Sequence, residues 1–183
     1  MTVRVPAQYQ NFYREETRAE IAEKKREESV RLPVSLGCVH LYSDGNLGFL
    51  VRAAACFGAS EVLVIGSLPP YRQLRQLSCG TNKLVDIKTF KNTSEFLEYC
   101  RQNDIHVVSL ELCERSVDIT KYKFPKDKRV CIITGNESMG VPGDIIHNSD
   151  CVVIPNPGIA PCMNTSQAAN VALYEYVRQI YCV

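Results

Sequence analysis

The sequence predicts an α/β domain: a mainly parallel sheet with helices on both faces, preceded by a charged helix. Three observations carry that expectation. From Leu36 onward, short β-branched or apolar runs alternate with helical patterns. The N-terminal segment differs in composition from all that follows it. A chain of 183 residues, 45% hydrophobic, is long enough for one substantial core but hardly for two. The expected division is a helical extension over residues 1–33 and a single domain over 34–183.

In the extension most residues from Arg14 to Glu28 are charged, with mixed signs, as in Lys24-Lys25-Arg26-Glu27-Glu28. Strong helix formers dominate, and Glu20 stands four residues before Lys24, an orientation that stabilises a helix by about a few tenths of a kcal/mol. Apolar positions are few: Tyr9, Phe12, Tyr13, Ala19, Ile21 and Ala22. A solvated helix lying on the main domain is expected, ending before Pro33. Strands are then expected at Leu36–Tyr42, Glu61–Gly66, Leu84–Lys88, His106–Leu110, Arg129–Thr134 and Cys151–Ile154. Helices fall between and after them. Gly48–Phe57 is one; Phe96–Asn103 is a second, announced by Asn92 with Glu95 three residues on. Asn164–Tyr181 is the last, with Ala168, Ala172, Leu173, Tyr176 and Ile180 on one face.

The net charge of +1 argues against a polyanion-binding tail or a generally basic surface; an RNA partner then requires the basic groups to be gathered on one face. Nine cysteines are many, but the count is odd and no CxxC occurs. Cys38, Cys131 and Cys151 sit in apolar runs, where a thiol acts as a small hydrophobe. Neither a disulfide framework nor a metal site is expected, and the free thiols are expected mostly in the core. No apolar run approaches the roughly 20 residues that span a bilayer. The N-terminus lacks a signal peptide's apolar stretch, and its glutamates count against a transit peptide. An intracellular, cytoplasmic protein is expected.

Ligands of parallel sheets bind outside the carboxyl ends of the strands, so the loops there are the informative ones. The first reads Ser43-Asp44-Gly45-Asn46-Leu47-Gly48; Asn46 can cap the helix that follows. Arg52 sits in the apolar stretch Phe49–Ala55, where an arginine is expected to be paired or functional. The second reads Gly135-Asn136-Glu137-Ser138-Met139-Gly140-Val141-Pro142, with glycines that permit close backbone approach and a carboxylate that can accept hydrogen bonds. It is no Walker loop, and no GxGxxG lies near it. The third runs from Pro155 to Ser166, stiffened by Pro155, Pro157 and Pro161. Such a loop suits a polar ligand without identifying it.

Asn46-x-Gly48-x-x-x-Arg52-Ala53 with Phe57-Gly58, then Gly135-Asn136-Glu137-x-x-Gly140, then Ile154-Pro155 with Gly158 and Asn164, resemble the three ordered motifs of the SpoU/TrmH family of RNA 2′-O-ribose methyltransferases. Gly58-Ala59-Ser60 and Ala172-Leu173-Tyr174-Glu175-Tyr176 are similar to family segments as well. The match covers nearly all of the α/β part. Each motif alone is only modestly specific; the three together, in this order, are a strong signal.

The resemblance implies the SPOUT fold, with a C-terminal trefoil knot, a bound S-adenosylmethionine, methyl transfer to a ribose 2′-hydroxyl of tRNA or rRNA, and a homodimer in which arginine and cofactor come from different subunits. By the same resemblance the cofactor contacts Thr134, Gly135, Asn136, Gly140, Ile154, Gly158, Met163 and Asn164. Arg52 is the motif-one arginine that meets the target phosphate and ribose; Asn46, Glu137, Asn164 and Cys162 complete the catalytic set. Cys162-Met163-Asn164 stands where the family usually has Ser-Leu-Asn, and a thiol is a weaker donor than a hydroxyl. Two alternatives stay open at this point: an RNA- or cofactor-binding module without methyl transfer, and a methyltransferase acting on a base nitrogen. Arg18, Lys24, Lys25 and Arg26, and Arg72, Arg75 and Lys83, are candidate RNA contacts against a solvated-surface reading. His40, His106 and His147 read as core or edge histidines, and Lys121-Tyr122-Lys123 and Lys126–Arg129 as solvated loop.

Overall fold

A computed structural model of the chain describes residues 18–182. Arg14–Thr17, together with Tyr9, Phe12 and Tyr13, lie outside the described residues. The chain divides into two units, residues 1–30 and 31–183. In the first, helix α1 spans Arg18–Glu28, and its side chains from Glu23 to Glu28 are all exposed.

The second unit is built on one sheet of seven strands, every pair parallel. The strands are β1 Leu32–Val39, β2 Ala59–Ile65, β3 Asp86–Phe90, β4 Ile105–Leu110, β5 Val117–Asp118, β6 Arg129–Thr134 and β7 Asp150–Val153, in spatial order β3-β2-β1-β6-β4-β7-β5. Helices α2 Asp44–Cys56, α3 Tyr71–Leu77, α4 Thr93–Gln102, α5 Gly143–His147 and α6 Thr165–Ile180 connect or follow them. The chain winds outward from β1 through β2 to β3, then crosses to the far side of β1, so α2 and α4 fall on opposite faces. Leu50, Val51 and Ala54 of α2 share one core with Ala169, Leu173 and Tyr176 of α6. Phe96 and Cys100 of α4 share the other with Ile145 of α5. The central strands, buried on both sides, are for that reason mostly apolar and do not alternate between polar and apolar residues.

Several boundaries differ from expectation. β1 begins at Leu32, before Pro33, rather than at Leu36. Pro33 is tolerated because pairing with β2 is irregular between Leu32 and Ser35, so no ladder bond needs its missing N–H. The strand stops at Val39 because His40 takes a left-handed φ of 38°. Helix α2 starts at Asp44 with Ser43 at its cap, so Asn46 lies inside the first turn and caps nothing. β3 runs two residues later than the Leu84–Lys88 run indicated; exposed Leu84 ends a short 3-10 turn, Thr81–Lys83, and the strand's buried anchor is Phe90. Asn92 does cap α4, accepting the Glu95 N–H at 2.9 Å. The thiols are not mostly internal: Cys38, Cys100, Cys131 and Cys151 are buried, whereas Cys56, Cys79, Cys162 and Cys182 are exposed. The nine are all free.

One charged group lies deep in the sheet. Glu61 of β2 is 3% exposed and ringed by Lys88 Nζ at 2.7 Å, Arg129 Nη2 at 2.5 Å, Tyr99 Oη at 3.1 Å and Ser35 Oγ at 3.2 Å. Arg129 therefore belongs to a buried ion cluster and not to a solvated loop. Desolvation pushes the Glu61 carboxyl up, but hydrogen bonds and attraction from Lys88, with Arg129 and Tyr99, outweigh it and hold it below the usual range. A carboxylate whose folded pKa is depressed stabilises the fold above its unfolded pKa, and that contribution is lost as pH falls through the folded value. Glu61→Gln is expected to lower the unfolding free energy by about 2–3 kcal/mol at neutral pH, less than full loss of a buried pair because Lys88 and Arg129 keep partial solvation. Urea titrations in the acid range are expected to show a shallower fall for the variant than for the parent chain.

Candidate functional site

A cleft of about 680 Å³ opens at the carboxyl ends of β6, β4 and β7. Its walls are Leu110 at the end of β4 with Glu111 and Leu112 after it, the loop that begins at Thr134 and returns at Gly140, and two stretches of the third loop, Val153 to Asn156 and Pro161 to Met163, leading into the start of α6. This is the position where an open parallel sheet takes its ligand.

The Gly135–Val141 loop is closed on itself. Asn136 and Gly140 exchange two backbone hydrogen bonds, at 3.1 and 3.0 Å. A Cβ at Gly135 would come within 2.0 Å of the Gly140 carbonyl carbon, and Gly140 itself has φ 67°, so neither position admits a side chain without rearrangement. Within the loop Asn136 Oδ1 accepts from Ser138 N–H at 2.9 Å and Met139 N–H at 3.2 Å, while its amide donates to the His40 carbonyl. Glu111, one residue beyond β4, accepts from Val141 N–H at 2.8 Å and fixes the loop's far end.

Asn46 joins the three loops. Its Nδ2 donates to Glu137 Oε1 at 2.6 Å; its Oδ1 accepts from Asn164 Nδ2 at 3.1 Å and Ser166 Oγ at 3.3 Å. Glu137 also accepts from Tyr42 N–H at 2.9 Å and Ser43 N–H at 3.3 Å. Desolvation raises the Glu137 pKa, yet these donors outweigh it and the group is held below its ordinary value as a carboxylate. Asn164 Oδ1 in turn caps α6, accepting from Ser166 N–H at 3.0 Å and Gln167 N–H at 3.3 Å. The third loop is of another kind. Among the described residues no backbone–backbone hydrogen bond forms between Ile154 and Met163; Asn156 Nδ2 to the Ala160 carbonyl, 3.2 Å, is its one internal tie.

Of the residues singled out in the sequence, Thr134, Gly135, Asn136, Glu137, Gly140, Ile154, Cys162, Met163 and Asn164 line the cleft. Asn46 lies buried behind it. Gly158 is exposed on the third loop and is not among the lining residues. Arg52 is apart from them: exposed on α2, it donates to Cys79 Sγ at 3.4 Å. Glu111 and Thr165, which donates to the Gly135 carbonyl at 3.2 Å, were not anticipated. Glu111 had one available signal, its place immediately after a strand.

An all-parallel sheet with a loop-walled cleft at its carboxyl edge defines a ligand-binding α/β protein of the type that holds nucleoside-sized molecules there. The chain belongs to the SpoU rRNA Methylase family, whose model matches residues 33–174. It is 24% identical over 162 residues to the Escherichia coli (strain K12) tRNA (guanosine(18)-2′-O)-methyltransferase, covering 88% of this chain and 69% of that enzyme. It is 33% identical over 142 residues to the 23S rRNA (guanosine-2′-O-)-methyltransferase RlmB of Acinetobacter baylyi, covering 73% of this chain and 55% of that one. Among solved structures, the AdoMet-bound rRNA methyltransferase from Sinorhizobium meliloti superimposes with a TM-score of 0.73 at 25% identity, over 82% of this chain and 61% of that chain. Parts of these relatives therefore have no counterpart in the matched region.

Removing the Asn46 side chain leaves Glu137 short of a donor and Asn164 short of an acceptor. Asn46→Ala is expected to lower the unfolding free energy by about 2 kcal/mol. Hydrogen exchange in the 135–141 loop is expected to quicken at the same time, which a simple loss of helix packing would not produce.

Proposed function

We propose that this chain is an S-adenosylmethionine-dependent RNA methyltransferase acting on a ribose 2′-hydroxyl of tRNA or rRNA. Residues 34–183 form the methyltransferase domain and 1–33 an extension to it. The observation that carries this reading is the convergence of the second and third loops on one cleft at the sheet's carboxyl edge. The residues there fit the cofactor. Among the described residues no peptide group between Ile154 and Met163 bonds to another backbone group, only the Ala160 carbonyl being taken, by Asn156 Nδ2, and Leu110, Leu112, Ile154 and Met163 supply apolar surface for a purine ring. Bound there, S-adenosylmethionine supplies a methyl group on a sulfonium.

The chain's own residues position and orient. Thr134, Gly135, Asn136, Gly140, Ile154, Met163 and Asn164 would hold the cofactor, with Gly158 on the exposed part of the same loop. Glu137, already accepting from three donors, acts as a carboxylate brace for the first loop and not as a mobile base. Free arginine is a poor base, with a pKa above about 12, so we assign Arg52 the binding of the target phosphate and ribose and the stabilisation of charge as the hydroxyl loses its proton.

Arg52 is not in the cleft of its own chain, which favours a homodimer in which the partner subunit's Arg52 completes each site. Phe49 on the same helix face is 53% exposed, and Val171 and Tyr174 of neighbouring α6 are 40% and 55% exposed, a surface suited to such an interface. Arg72, Arg75 and Lys83 are exposed on the segment that also carries Cys79, the contact of Arg52, and give RNA backbone a basic approach. The trefoil knot is carried over from the resemblance alone, as a property of the segment leading into α6. A tRNA or rRNA substrate assigns the protein to the cytoplasm; separately, among the described residues no helix is long and apolar enough to cross a membrane. Cys162, exposed in the cleft without a hydrogen-bond partner among the described residues, favours a second reading, a binding module that does not turn over.

Incubation with methyl-labelled S-adenosylmethionine and total cellular RNA, followed by nucleoside digestion, is expected to yield 2′-O-methylated nucleosides. Labelled base-methylated nucleosides, or no label, overturn the reading. Arg52→Ala is expected to lower kcat by about 10²–10³-fold while cofactor binding, measured by calorimetry, is retained. Mixing Arg52→Ala with an Asn164→Ala chain is expected to restore part of the activity that each lacks alone; no recovery argues against a site shared between subunits.

A further inference from the structure

A second cavity, of about 270 Å³, lies between the carboxyl ends of β1 and β2. Cys38, Leu47, Val64 and Ile65, all at most 4% exposed, form an apolar floor. Burial pushes the Cys38 thiol up to about 12, so that floor carries no charge. His40, Tyr42, Asp44 and Ser67 form a polar rim. The cavity falls below the roughly 300–1,000 Å³ of pockets that take drug-sized ligands and suits a single flat heterocycle.

We propose that this pocket receives one unstacked nucleobase of the RNA substrate, stacked on the ring of Tyr42. The proposal rests on the RNA-acting reading above. Tyr42 is 71% exposed and makes no ring contact among the described residues, yet its main chain is fixed, its N–H donating to Glu137 Oε2 at 2.9 Å. An aromatic face held at the lip of an apolar hollow is how single-stranded nucleic acid is gripped. The rim offers groups to read a base edge. Gln73 occupies only Oδ2 of Asp44, at 2.6 Å, and among the described residues the His40 ring and the Ser67 hydroxyl have no hydrogen-bond partner.

Both loops are shaped around that rim. His40 holds a left-handed φ of 38°, and Gly66, at φ 129°, lies so close beneath it that a Cβ would stand 2.9 Å from His40 Nδ1. Left-handed geometry at a non-glycine residue costs energy and gathers at functional sites. The pocket also adjoins the cleft. Glu137 and Asn136, which line the cleft, hold the Tyr42 N–H and the His40 carbonyl. A base seated here stands one loop away from the methyl donor.

The test uses the full chain and a pentaribonucleotide of uridines with a central 2-aminopurine, whose fluorescence falls on stacking. The parent protein is expected to quench the probe. Tyr42→Ala is expected to abolish quenching and weaken binding by about tenfold, and Tyr42→Phe to restore both. An abasic probe is expected to bind the parent protein as weakly as the intact probe binds Tyr42→Ala, with no further loss when both changes are combined. Unchanged thermal midpoints establish that the variants are folded. Equal affinity of parent and Tyr42→Ala, or of intact and abasic probes, overturns the base pocket and leaves the RNA-acting reading standing. Failure of any chain to bind the probe overturns the pocket as well, and the methyl-transfer assay then decides the broader reading independently.

Discussion

The side-chain amide of Asn46 is the constraint on which the site depends. It is 6% exposed, and a buried amide must find partners for both of its ends. Asn46 finds them on two different loops: a carboxylate after β6, and the Asn164–Ser166 turn that opens α6. Leaving any of these groups unpaired costs more than the bond itself gains, so the three loops have one mutual arrangement. The cleft inherits its shape from that condition. Glu137 extends it to the end of β1 through Tyr42 and Ser43, and Asn164 extends it along α6 through the helix cap.

Much of this was legible in the sequence, for identifiable reasons. Alternation of short apolar runs with helical patterns indicated the parallel sheet, because strands buried on both faces need no polar side. The Asn92–Glu95 cap was readable because both partners lie on one turn. The glycines and prolines around the cleft were readable because backbone constraint is written in residue type. Long-range pairing was not. Glu61 reads as a lone charge in a strand, and its partners Ser35, Lys88, Tyr99 and Arg129 come from four separate elements. Glu111 likewise acts on a loop distant in sequence. Asn46 looked like a helix cap, since asparagine before a helix usually is; its actual bonds run to Glu137, Asn164 and Ser166, beyond any local rule.

Arg52 illustrates a different limit. Its apolar neighbours suggested a paired or functional arginine without saying where it points: Val51, Ala53 and Ala54 face the core while Arg52, on the other side of the helix, faces outward and meets Cys79. Composition around a residue in a helix does not report the face it occupies. The charged groups that are embedded sit on the sheet instead, and the Glu61 cluster lies toward the amino ends of its strands, opposite the cleft. The two ends of the sheet are thereby divided between a locked ionic cluster and an edge made of loops.

The loop from Pro155 to Met163 gives the site a property that hydrogen bonds do not. Proline fixes φ by covalent geometry, and Pro155, Pro157 and Pro161 recur through a segment with almost no internal hydrogen bonding. Much of its order is therefore a deficit of disorder in the unfolded chain. Such a wall has few bonds to break on warming and few to trade when a ligand arrives. Its peptide groups, which among the described residues make no bonds to other backbone groups, meet that ligand without first being released from one another.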